Sequence, residues 1–497
     1  MSGSAGGTQG RHGLLDGVVG QARRTPRATA LVWRDEEIDY GTLLHLTAQE
    51  RDRIARLPGD EPVAVPAVKS PATIALVLAC LLQRRPVLLP AATLGRDALD
   101  RLHRQAGVRE VLRPSATVTR GPRTGTPAHP APCTGRPALL LTTSGSTGLP
   151  KIVPLHTDAL DAFGDWAAAA FGIAPGTTVL NYAPLNFDLC LLDVWTTLAH
   201  GGRVVLVDPD HALDGARLLG LLRRHRVHVV QAVPMFFRLL TDAADATGTS
   251  LPAVRHAMFT GDAMPGPLLD RLAGLLPGAR LHNIYGCTET NDSFIHEVDS
   301  RAPAASPLPI GVPLPGVEAL VVADGGAVLD GPGTGELLVS TPFQTRGYLG
   351  AAAARQVFAA HPGGDDGRRY FRSGDLVHRH PDGSLTLEGR TDHQVKVRGV
   401  RVNTQEVEHL LLGHGEVTEA AVVALPDPVA GRLLHAVVRR APGSGLNSLT
   451  LRGHLARRLP RAAVPAVLRI TDDALSRTST GKVDRDRVAS AHFNKEN

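Results

Sequence analysis

An α/β fold is predicted, with a large amino-terminal domain of layered α/β subdomains plus a β-rich subdomain, followed by a small carboxy-terminal α+β domain. Three observations predict it. Short apolar, strand-like runs alternate with helical segments from Ala30 to Tyr285. From about residue 306 the texture changes to short alternating strands punctuated by Gly, Asp and Pro, and from about 392 a compact unit of mixed helix and strand follows. The chain has 497 residues, too many for one compact core, and the expected division is 1–391 and 392–497.

Taken in order, a polar lead-in and a short amphipathic segment occupy residues 1 to about 28. Ala30–Trp33 and Ile38–Tyr40 read as paired strands before a helix at about 41–56. Pro62–Pro66 and Pro86–Pro90 read as strands around a helical Ser70–Leu82, and the Pro- and Gly-rich stretch from Leu112 to Gly135 reads as an exposed connection. Thr157–Phe171, Leu191–Ala199 and Pro234–Ala243 are expected helices. Thr178–Tyr182, Arg203–Asp208, Val227–Val233, His256–Thr260 and Arg280–Tyr285 are expected strands whose ends meet polar loops, where open α/β sheets place their ligands. Val317–Val322, Gly335–Ser340 and Ser384–Glu388 make up the β-rich part. The last unit runs through a helix at Thr404–Leu412, strands at Val417–Leu425 and Leu433–Arg440, and a helix at Leu449–Leu459.

The bulk numbers exclude several function classes. The 53 basic residues face 48 acidic ones, a net charge of +5, and no basic stripe interleaved with aromatics is present, so nucleic-acid binding is not expected. The cysteines, Cys80, Cys133, Cys190 and Cys287, are far apart without a C-x-x-C, which fits free thiols in a reducing cytoplasm. No signal core or uninterrupted membrane-length apolar run occurs, so no membrane partner is expected. A monomer or weak homodimer is the expected state.

One stretch carries chemistry on its face. Leu140-Leu-Thr-Thr-Ser-Gly-Ser-Thr-Gly-Leu-Pro-Lys151 is an apolar strand that breaks into hydroxyls and glycines and ends in a lysine. Glycines let backbone amides approach an anion, Ser and Thr add neutral donors, and Lys151 adds compact charge. The P-loop spacing is absent, so some other way of using ATP must be considered.

Further motifs follow in order: Asn186-Phe-Asp-Leu-Cys190, Tyr285-Gly-Cys-Thr-Glu289, Gly335-Glu-Leu337, Tyr370-Phe-Arg-Ser-Gly-Asp-Leu376, Gly389 to Gly399 and Ser479-Thr-Gly-Lys-Val-Asp-Arg485. Together they resemble the adenylate-forming superfamily over nearly the whole chain, specifically the amino-acid-activating adenylation domains of nonribosomal peptide synthesis. The resemblance implies ATP and Mg2+ as cofactors and release of pyrophosphate. It makes Thr143, Ser144, Gly145, Ser146, Thr147, Gly148 and Lys151 the pyrophosphate loop, with Thr143, Lys151 and Lys482 as catalytic residues. Tyr285 and Gly286 would flank adenine, Thr288 the phosphate, Asp375 the ribose hydroxyls and Arg390 ribose or phosphate. Glu289 would coordinate magnesium. Asp392 would be the hinge of a mobile carboxy-terminal domain, with Lys396 and Gly399 on the face offered to a phosphopantetheine arm.

By the same resemblance Asp188 pairs with the substrate's α-amino group, and Leu189, Leu192, Ala232, Met258, Thr260, Ile284, Asp292 and Ser293 line the amino-acid pocket. Most are aliphatic or small. Cys190 and Cys287 replace the usual Ser and Pro, as in free-standing enzymes that load proline onto a separate peptidyl carrier protein. Asp292 fits proline less well and would favour serine, threonine or a β-amino acid. No carrier motif follows Lys482, so the carrier is expected to be a separate partner. A coenzyme A ligase is the other enzyme reading.

Overall fold

A computed structural model describes residues 13–92, 94, 96–115, 137–143, 151–262, 264–299, 307–349, 357–390, 394–397, 400–427, 431–457, 459, 463–478 and 481–493. At its centre six strands run parallel in the spatial order 280–287, 256–260, 229–232, 178–181, 203–206 and 29–33. Alternation along them sends side chains to two separate cores. Val229, Met258 and Ile284 enter one, and Val230, Ala232, Ala257 and Phe259 enter the other. Such strands are buried on both faces, which is why they read as apolar runs.

The polar stretch after Cys287 becomes a strand, Asn291–Val298, that turns back antiparallel on Arg280–Cys287. Gly286 makes that return possible: a Cβ there would lie 2.2 Å from the backbone oxygen of Asn291. The β-rich strands then continue the same sheet, through Pro309–Pro313 to Leu385–Arg390, Tyr370–Arg379, Gly333–Ser340 and Glu318–Val322.

A second, five-stranded sheet holds Val63–Ala64, Val87–Leu88 and the Pro137–Thr143/Lys151–His156 hairpin. Between its first strands the Pro71–Leu82 helix starts where Ser70 Oγ accepts from the Thr73 amide at 3.1 Å and Pro71 takes the first turn, a cap of about 1 kcal/mol. A helix, Arg96–Ala106, and a short strand, Glu110–Val111, precede the stretch read as an exposed connection, of which residues 116–135 lie outside the described residues.

The carboxy-terminal unit has its own core around Val407, Leu411, Val438 and Leu451. Its three-stranded sheet, 417–427, 431–440 and 467–471, carries helices Thr404–Leu412, Ser448–Ala456 and Arg485–Phe493. Arg238 of the large unit donates to the Thr418 carbonyl at 2.9 Å, which ties the two together. The expected hinge residue, Asp392, lies outside the described residues. Among the described residues no helix is long and apolar enough to cross a membrane.

At the amino-terminal edge of the parallel strands His282, 3% exposed, lies 3.1 Å from His256, between Arg280 and Glu297. Burial first, then His256, pushes its imidazole down to about 4. The unfolded chain therefore binds this proton more tightly, and stability present above pH 6.5 is lost as pH falls toward 4, by on the order of 3 kcal/mol. Thermal melts across this window should show the decline, and His282→Phe should flatten it. An equal slope in the variant would reassign it to other groups.

Candidate active site

The site forms at the carboxyl ends of the parallel strands. After Asn181 the chain turns through Pro184 to Asp188 and enters an unusually wide helical turn, Leu191–Thr196, in which Thr196 Oγ1 bonds the Leu191 carbonyl five residues back. Asp188 precedes that turn. Its Oδ1 accepts from the Leu189 amide at 3.0 Å and its Oδ2 from Thr288 Oγ1 at 2.8 Å. Thr288, expected beside phosphate, thus also tethers the Asp188 carboxylate. Burial raises the Asp188 carboxyl, while Thr288, Leu189 and the charge of Lys482 lower it.

Lys482 arrives from the far end of the chain. Its turn is closed by Thr478 N to the Lys482 carbonyl, 2.8 Å, and by Arg477, which donates to the Gly481 carbonyl and to Glu419, each at 2.6 Å. Lys482 is exposed, and its charge acts on Asp188. Arg477→Ala should loosen this turn and lower adenylation about 10-fold through kcat, with KM for ATP unchanged, because a displaced charge is felt mainly in the transition state. Steady-state kinetics checks this; a change confined to KM would contradict it.

Thr143 and Lys151 face each other as partners across the hairpin, so they close the foot of the Gly-rich loop. Ser144, Gly145, Ser146, Thr147 and Gly148 lie outside the described residues. Lys151 Nζ lies 4.8 Å from the centre of the Tyr348 ring, and the Tyr348 hydroxyl donates to Glu289 Oε1. The same segment is stitched in place by Thr345 N to the Glu289 carbonyl, 2.8 Å, and Leu349 N to the Ile152 carbonyl, 3.0 Å. Among the described residues no group of three or more His, Cys, Asp or Glu side chains forms a metal cage. A single carboxylate such as Glu289 fits magnesium, which is commonly held by one or two carboxylates together with substrate phosphates.

Tyr285, edge-on to Phe294 at 5.7 Å, donates its hydroxyl to Asp375 Oδ2. Burial and the Asp375 charge raise the phenol well above its usual range. Asp375 opposes Arg390 in strand register; the Arg390 side chain is outside the described part, as is that of Lys396, and Gly399 is outside altogether. The Gly335-Glu-Leu337 motif is structural: Gly335 lets the Val322 carbonyl approach, and Glu336 pairs with Arg372.

Of the pocket positions, Leu192, Met258, Thr260, Ile284, Asp292 and Ser293 are buried and Leu189 is half-buried. Ala232 requires correction. It lies in the second core, on the opposite sheet face, because its strand alternates; Gln231, one residue earlier, donates to Asp292 Oδ2 at 3.4 Å. Sequence reasoning missed Gln231 by a one-residue shift of register, and missed Tyr348 because its contacts lie far away in the chain. Cys190 points inward, its thiol donating to the Pro184 carbonyl at 3.2 Å.

Comparison with known proteins identifies the family. Residues 19–349 match the AMP-binding enzyme family and 406–482 the AMP-binding enzyme C-terminal domain. An L-proline--[L-prolyl-carrier protein] ligase of Streptomyces coelicolor is 38% identical over 357 residues, 71% of this chain and 65% of that protein. One of Pseudomonas fluorescens is 34% identical over 71% of this chain and 68% of its own length. In fold, the chain matches o-succinylbenzoate coenzyme A synthetase from Bacillus subtilis in complex with ATP and magnesium ion, with a TM-score of 0.80, 21% identity and coverage of 95% and 98% of the two chains. On the family matches and the sequence identity to these relatives, this chain belongs to the AMP-binding enzyme family of adenylate-forming ligases.

Proposed function

We propose that the protein activates an amino acid with ATP and passes it to the phosphopantetheine thiol of a separate peptidyl carrier protein. The observation that supports this reading is the bond from Thr288 Oγ1 to Asp188 Oδ2, 2.8 Å, on a carboxylate that also feels the charge of Lys482. Asp188 takes the substrate ammonium, a charge that is costly to bury without a partner. The substrate carboxylate oxygen then attacks the α-phosphate; the bond to the β-phosphate oxygen breaks, giving aminoacyl-AMP and pyrophosphate. Lys482 draws the two approaching anions together, while Thr143, Lys151 and the loop between them receive the leaving pyrophosphate. Tyr285 and Asp375 hold adenine and ribose, with Gly286 and Arg390 beside them. Glu289 would hold magnesium, whose charge offsets that of the phosphates. Rotation about Asp392 would then bring the carrier thiol to the acyl carbon, with AMP leaving.

L-Proline is the substrate favoured by the likeness to the two prolyl-carrier ligases and by the aliphatic walls Leu189, Leu192, Met258 and Ile284. Asp292 favours a second reading, a small amino acid with an additional polar group. Amino-acid-dependent ATP–pyrophosphate exchange tests the activity, and absence of exchange with every amino acid sinks it. A loading assay offering carrier protein and coenzyme A together separates the two acceptors.

A further inference from the structure

Asp188 suffices for one ammonium, yet the pocket holds a second buried carboxylate, Asp292, 8% exposed, on the strand that returns from Cys287. Gln231, 1% exposed, gives its amide nitrogen to Asp292 Oδ2 at 3.4 Å, and its Oε1 has no partner among the described residues. Behind them Asn181 Oδ1 and Asp193 Oδ1 are also buried without a partner, although Asn181 Nδ2 donates to Asp193 Oδ2 at 3.3 Å. The ionisable group that acts on Asp292 is Asp188, and those that act on Asp193 are Lys69 and then Asp292. Lys69, which acts on Asp193, directs its Nζ at the Asn181 and Tyr182 carbonyls. Acceptors thus outnumber donors around a buried carboxylate, at the end of a pocket that already has its α-amino anchor.

A ligand that satisfies this end must bring donors and positive charge. A hydroxyl offers one hydrogen, whereas an ammonium offers three and neutralises the extra carboxylate. We propose that Asp292 and Gln231 form a second amine-binding subsite, so that the substrate is a short α-amino acid with a side-chain amine, its α-amino group on Asp188 and its second amine on Asp292 and Gln231. Burial and the nearby Asp188 push the Asp292 carboxyl up to about 7, the state of a carboxylate lacking its cation. Short diamino acids such as 2,3-diaminopropionate and 2,4-diaminobutyrate carry the two amines that this subsite requires. This inference rests on the amino-acid activation proposed above and departs from L-proline.

The test is ATP–pyrophosphate exchange by the full chain with both diamino acids, ornithine, L-proline, L-threonine and β-alanine, repeated with Asp292→Asn and Gln231→Leu. The expected result is the highest kcat/KM for a short diamino acid, with its preference over L-proline falling about 100-fold in Asp292→Asn, the usual effect of unpairing a buried charge. A wild-type profile led by L-proline, L-threonine or β-alanine overturns the second-amine subsite and leaves amino-acid activation standing. Exchange with no amino acid overturns both. The wild-type profile decides the matter even if a variant fails to fold.

Discussion

Lys482→Ala is expected to lower ATP–pyrophosphate exchange by about 10²–10³-fold, the usual effect of removing one preorganised group aimed at developing charge. Its side chain is exposed and its turn is built from backbone bonds and Arg477, so the melting temperature should not move. Transfer from a preformed aminoacyl-adenylate to the carrier thiol should suffer much less, because that step no longer brings a carboxylate against a phosphate. Single-turnover measurement of the two half-reactions checks this. Equal losses in both would contradict the role assigned to Lys482.

Asp188→Asn should act on the other substrate. It keeps the shape and an oxygen able to accept from Thr288, but removes the charge proposed to pair with the substrate ammonium. The expected loss in kcat/KM for the amino acid is on the order of 10²-fold, about 3 kcal/mol, with KM for ATP little changed. Parallel titration of both substrates separates them. If the two KM values rise together, Asp188 is supporting the whole site rather than reading the amine.

The sequence announces regular elements where local rules agree. Thr157–Phe171 forms the expected helix and stops at Gly172, which adopts φ 61°, the left-handed conformation glycine tolerates. The Asn291–Val298 strand was not legible, since its first residues, Asn, Asp and Ser, look like a loop. Asp292 is polar where its carboxylate meets Gln231, and local propensity is blind to that. The site was legible through ordered motifs: Asp188, Thr288 and Lys482 are far apart in the chain, and spacing alone could not join them. Where a strand supplied the residue, legibility fell to the pleat. A one-residue shift exchanged Gln231 for Ala232 and with it a polar floor for an apolar wall.

That alternation has an evolutionary consequence. On the strand Val229–Ala232, odd-numbered positions face the side of Met258, Ile284 and Asp292, and even-numbered positions the far core with Phe237 and Phe259. Gln231 can therefore be exchanged for a residue of similar volume without disturbing the packing behind the sheet. Substrate preference and robustness are inherited on alternate letters of the same short word, so drift in one need not tax the other.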